Sequence, residues 1–230
     1  MRLFIWCMLH DLGFEVAVRS GVNGSWHSDL AAERIRGEKE MSQKERADLN
    51  KEIAYDPIQL LKKEHEETLR KLEVAKQAMQ SCHGLPGNTA SQQRVAEEAW
   101  IKDFVVSLIR EVRLHFQKEE EALFPILAEY IGKEHGPIEV MLHEHEILRL
   151  AFRDWEGLLI QFCESQGPDK QGSLNALIAS GDEAFNLFRQ HSSKESKILF
   201  KICEASLSGE EKRMVSESIE AIGAGRASKT

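Results

Sequence analysis

From Asp56 to about Ala205 the apolar positions of the chain recur every three to four residues, the spacing of one face of an α-helix. Asp56 followed by Pro57 is a favourable start. The aspartate side chain caps orphan N–H groups, and a proline at the first helical position gives up no bond. The predicted first helix carries Ile58, Leu61, Leu69, Leu72 and Met79 on one side and stops at HGLPGN (83–88). A second runs from about Ser91 to Tyr130, with Trp100, Phe104, Leu108 and Val112 leading to His115. Pro125 lies inside it and kinks it or divides it in two. HGP (135–137) opens a third helix through Phe162, and after SQGPDKQGS (165–173) a fourth extends to about Ala205. Ser208 with Glu211 three residues on is a capping-box start for a short fifth helix. The predicted fold is all-α: an antiparallel up-down-up-down four-helix bundle with a short C-terminal helix.

This divides the chain into an N-terminal extension (1–53), the bundle (54–207), and a C-terminal helix with a flexible tail (208–230). Residues 1–40 lack the helical period. They end in Arg36-Gly37-Glu38-Lys39-Glu40, all encodable by purine-only codons, directly before Met41. Such a tract is what a ribosome-binding site looks like when translated, so one expectation is a true start at Met41. The other is a small extra N-terminal segment.

Composition narrows the partners. A formal net charge of −8 disfavours nucleic acid or an anionic membrane surface, either of which asks for a basic patch. LFIWCML (3–9) is too short to span a bilayer. Cys7, Cys82, Cys163 and Cys203 are scattered with no C-x-x-C pair, which reads as reduced thiols in a cytoplasmic protein.

Two internal echoes carry the chemistry. HFQKEEEALFPI and HSSKESKILFKI match at His115/His191, Lys118/Lys194, Glu119/Glu195, Leu123/Leu199, Phe124/Phe200 and Ile126/Ile202, each pair separated by 76 residues. PIQLLKKEH and PIEVMLHEH share Pro-Ile and Glu-His, with Pro57/Pro137 and His65/His145 separated by 80. The chain is a doubled helix pair, each helix bearing one singled-out histidine. Residues i and i+4 share a helix face, so His115 with Glu119, and His191 with Glu195, reach one point. Glu120, Glu121 and Ser196 are rotated away. Buried without partners, such groups would cost several kcal/mol for each charge; a bound metal removes that cost. Four His and two Glu suffice for two metals, the carboxylates bridging and two imidazoles ending each ion. The expected set is His65, His115, Glu119, His145, His191 and Glu195. His10, His27, His83, His135 and His143 read as ordinary core or surface residues; His143 is about 200° around the helix from His145.

Together PIQLLKKEHEETLRKL, HFQKEEEALFPIL, GPIEVMLHEHEILR and HSSKESKILFKI resemble the haemerythrin-like HHE cation-binding family over roughly residues 54–207. The resemblance implies a four-helix bundle with an oxo- and carboxylate-bridged non-haem diiron centre. Oxygen carriers of the family use five histidines, with H-x-x-x-H on the third helix. Here Met141 stands four before His145, and the fourth helix has H-x-x-x-E in place of H-x-x-x-x-D. The four-His, two-Glu set is similar to the bacterial iron-centre repair and sensor branch. It implies open positions suited to O2, NO or peroxide. The first expectation is a module that binds or senses O2, NO or redox and iron status, signalling through a protein partner. The alternative is an enzyme-like role in repair of damaged iron–sulfur centres or in peroxide chemistry. Repair proteins of the family typically carry an N-terminal cysteine-pair domain, whereas this N-terminal stretch has Cys7 alone, which sets that alternative second. A metal-free interaction bundle is disfavoured by the ligand set.

Overall fold

The computed structural model describes residues 56–82, 91–167 and 169–225. The expectations for residues 1–55, the HGLPGN stop, His83 and the last five residues lie outside them. The helices are α1 (Pro57–Ser81), α2 (Ser91–Lys118), α3 (Phe124–Ile131), α4 (Pro137–Glu164), α5 (Asp169–Lys197), α6 (Leu199–Ser206) and α7 (Gly209–Gly223). A π-helical turn, Glu119–Leu123, joins α2 to α3. No strand occurs among the described residues, and no described helix is long and apolar enough to cross a membrane.

The ties between helices run in opposite chain directions, which makes the ring antiparallel. Lys118 meets Glu64 and Lys71 meets Glu111 at 2.6 Å between α1 and α2. Arg113 meets Glu156 at 2.8 Å between α2 and α4, with Arg149 on Glu120 at 2.7 Å one segment on. Glu144 with Lys194 joins α4 to α5, and Lys76 with Asp182 at 2.8 Å closes the ring from α1 to α5. Ion pairs this exposed contribute little stability. The bundle is held by apolar burial, in two clusters. One contains Leu72, Met79, Leu108, Phe116, Phe152, Trp155, Leu159 and Phe188. The other contains Ile58, Leu61, Leu123, Phe124, Ile138, Met141, Leu199 and Phe200, and α7 adds Val215, Ile219 and Ile222 to it.

Both helix starts read from the sequence are present. Ile58 N–H donates to Asp56 Oδ1 at 3.0 Å ahead of Pro57, and Ser208 and Glu211 form the reciprocal capping box. The helix from Ser91 is divided ahead of Pro125, one of the two outcomes expected there: Phe124 N–H bonds to Glu119 O, five residues back. Pro125 has no N–H and its ring would crowd the Glu121 carbonyl, so the bonding slips to the wider π pattern just before it. The fourth helix begins at Asp169 rather than after Ser173 and is interrupted at Ile198. Burial of Leu174 and Leu177, and Lys170 bonded to Glu98 at 2.8 Å while lying 4.4 Å from the Phe162 ring, outweigh the Gly- and Ser-rich composition there. At the interruption Ile198 N–H is shared between Lys194 O and Glu195 O, and the turn sends both Leu199 and Phe200 into the core.

Candidate metal centre

Between the two apolar clusters lies a polar layer. His65, His115, Glu119, His145, His191 and Glu195 are all buried, the two glutamates completely. The six residues expected from the sequence are brought together. One group unites His65, His115, Glu119 and Glu195, with one donor atom of each within 4.8 Å of the others; a second unites Glu119, His145 and His191 on the same criterion. Glu119 reaches His115 Nε2 at 2.9 Å with one oxygen and His145 Nε2 at 3.3 Å with the other. Glu195 Oε2 stands 3.2 Å from His65 Nε2 and 3.7 Å from His191 Nε2. Each carboxylate therefore faces an imidazole from both groups. Both oxygens of each glutamate are buried without a hydrogen-bond partner, as are both nitrogens of His65. Such groups are costly to bury alone, and nitrogen and carboxylate donors converging at these distances fit divalent first-row metals. His135 and His143 are exposed and stand outside the layer.

The outer side of the layer was not legible from ligand spacing. His115 Nδ1 donates to Glu64 at 2.9 Å, His145 Nδ1 to Glu120 at 2.5 Å, and His191 Nδ1 to Glu144 at 3.2 Å. A carboxylate only accepts, so each Nδ1 carries the hydrogen and Nε2 is turned inward as the donor atom for a metal. A cation holds each outer glutamate in turn: Lys118 on Glu64, Arg149 on Glu120 and Lys194 on Glu144. The repeat held the signal for two of these three pairs. Glu64 and Glu144 are the Glu of the shared Glu-His, and Lys118/Lys194 is one of the matched pairs. Glu120 gave no such signal, because the π turn that aims it is invisible to a fixed helical period.

The protonation of the layer follows from burial and neighbours. Burial and the charge of His115 push His65 down to about 3. Burial also takes His191 down to about 4, against the pull of Glu119. His115 resists its burial because Glu119 and Glu64 flank it, and it rises to about 9. Burial would raise Glu119, but His115 and His145 hold it well below its ordinary value. Burial and the charge of Glu119 drive Glu195 well above its own. In the metal-free layer, then, His115 holds a proton that a metal must displace. Below pH 9 the proton on His115 competes with the metal, so affinity should rise as pH increases towards 9 and fall in acid. Loading at neutral pH should release protons, measured in a weakly buffered titration. Loading without acidification would show that His115 stays protonated and does not bind.

The sequence model of the Hemerythrin HHE cation binding domain matches residues 56–203. The chain is 32% identical over 142 residues to the iron-sulfur cluster repair protein YtfE of Edwardsiella ictaluri (strain 93-146), covering 59% of this chain and 58% of that protein. It is 32% identical over 103 residues to the iron-sulfur cluster repair protein DnrN of Neisseria gonorrhoeae, covering 44% of this chain and 64% of that one. The matched region thus spans less than two thirds of either relative's length. With the match running from the cap of α1 into α6 and enclosing all six buried His and Glu residues, the chain belongs to the hemerythrin HHE cation-binding domain family.

Proposed function

We propose that the polar layer holds two iron ions, with His65 and His115 on one, His145 and His191 on the other, and Glu119 and Glu195 shared between them. The observation that carries this reading is the pair of fully buried glutamates whose four oxygens lack hydrogen-bond partners amid four imidazoles. Bound iron would supply one-electron chemistry and open positions for a small ligand such as O2, NO or peroxide. The protein's own part is to orient the Nε2 atoms of His115, His145 and His191 through the outer glutamates, and to exclude water with the apolar clusters above and below. The relatives' names favour a role in iron–sulfur cluster repair, ahead of the sensing role that the lone Cys7 had placed first. A cytoplasmic setting fits that role.

The test is metal analysis and an optical spectrum of the purified chain before and after NO, followed by incubation with an NO-damaged iron–sulfur enzyme. Two irons per chain and recovery of the damaged enzyme are the expected results. Tight NO binding by the reduced protein without any recovery would favour sensing. Fewer than two irons would remove the dinuclear reading.

Met141 supports an open site. It is buried one turn before His145, among Ile58, Leu61 and Phe124, and it matches Leu61 one turn before His65. Apolar residues thus occupy both positions from which a further imidazole could reach the centre. Met141→His should restore the H-x-x-x-H pair, change the visible spectrum and slow azide or NO binding. An unchanged spectrum with unchanged ligand kinetics would show that position 141 does not address the metal.

A further inference from the structure

We propose that the two ion positions are unequal and that the ion between His65 and His115 is held less tightly, because Ser196 and Leu69 stand where the repeat would place an outer carboxylate and its cation. This rests on the dinuclear reading above. Three of the four imidazoles have a braced outer partner: His115 on Glu64–Lys118, His145 on Glu120–Arg149 and His191 on Glu144–Lys194. His65 has none; its Nδ1 is buried without a hydrogen-bond partner among the described residues. Its ring is held instead by packing, 5.5 Å from the Phe200 ring and 5.7 Å from the Phe188 ring, centroid to centroid.

The doubled helix pair shows what is missing. His145 is the counterpart of His65, and it is served by Glu120 from the neighbouring helix and by Arg149 one turn along its own. Moved by the repeat separations of 76 and 80 residues, Glu120 becomes Ser196 and Arg149 becomes Leu69. Both replacements are half-buried positions, so the gap is one of chemistry and not of exposure. The serine is shorter and uncharged, and the leucine can brace nothing.

The inner glutamates do not offset this, since each faces an imidazole from both positions. An outer carboxylate fixes ring orientation and raises the basicity of the donor nitrogen, and its loss typically weakens metal binding 10- to 100-fold. His115 also lines a pocket of about 150 Å³ between α1 and α2, walled with it by Glu64, Thr68 and Lys118.

Release of iron from the loaded full chain to an excess of a coloured chelator tests the proposal, after iron content has been measured. The expected result is two phases of equal amplitude, with rates about 10- to 100-fold apart. Ser196→Glu/Leu69→Arg should slow the fast phase about 10-fold or more and leave the slow one in place. Glu120→Gln should speed the slow phase until the two merge. Single-phase release from the parent chain overturns the inequality, as does a fast phase that the double substitution leaves unchanged. Should the double variant not fold, Glu120→Gln decides: merged phases uphold the proposal and an unmoved slow phase overturns it. A parent chain that loads one iron or none fails at the first measurement, which is the failure of the dinuclear reading and is told apart by that number.

Discussion

Iron content should fall from two per chain to none in Glu119→Ala/Glu195→Ala, and to one or less in each single variant. Each glutamate faces imidazoles of both groups, so in the proposed dinuclear centre losing one would remove a ligand from both ions at once. Removing both would leave only two imidazoles per ion. His135→Ala and His143→Ala, at exposed positions outside the layer, should keep full iron content. Glu195 should act with opposite sign on the metal-free chain. Its buried carboxyl, driven well above its ordinary value, has no hydrogen-bond partner, and such a group costs about 1–3 kcal/mol. Glu119, by contrast, neutralises His115 at 2.9 Å. Glu195→Met should therefore melt higher than the metal-free parent. Full loading of the double alanine variant would sink the ligand assignment. A lower melting temperature for Glu195→Met would show that the Glu195 carboxyl is satisfied without metal.

Gly181→Leu should lower the melting temperature and leave the iron content unchanged. A Cβ at Gly181 would stand 2.8 Å from Trp155 Nε1 and 3.0 Å from Trp155 Cε2 and Met79 Cε. Trp155 is 1% exposed and its ring is rigid, so the neighbour that must give is the one least able to. Overpacking a closed core costs about 1–3 kcal/mol or more, against a gain of about 1 kcal/mol for replacing a mid-helix glycine. With a whole leucine to place, the steric term wins by roughly 2 kcal/mol. At about 2–4 °C per kcal/mol for a chain of this size, the expected drop is about 4–8 °C, read by calorimetry. Gly181→Ala should sit much nearer to neutral, because the two terms are then comparable. An unchanged melting temperature for the leucine variant would mean that α4 and α5 separate without penalty.

The bundle and the six inner residues were legible because both depend on periodic signals. Apolar spacing marks the helices, and the repeat marks which histidines and glutamates to separate from an otherwise charged surface. What escaped depends on departures from period. Glu120 sits five residues from His115, and in an unbroken α-helix it points away from the layer. The π turn ahead of Pro125 lets Glu119 take one nitrogen of His145 and Glu120 the other. Asp169 opens α5 inside a stretch rich in breakers, because tertiary burial outweighs local propensity. Gly181 carries no mark in a single sequence. Its role appears only when Trp155 crosses from the facing helix.

The two apolar clusters also bear on the order in which the holoprotein is assembled. Each draws residues from every side of the ring. The chain should therefore reach its native topology without metal, unlike small domains that fold only as metal binds. The proposed centre would then be loaded in an already folded bundle, and a nascent chain would wait folded when iron is scarce. Chelated protein that keeps its helical circular dichroism and reloads without passing through an unfolded state is the observation this sequence of events requires.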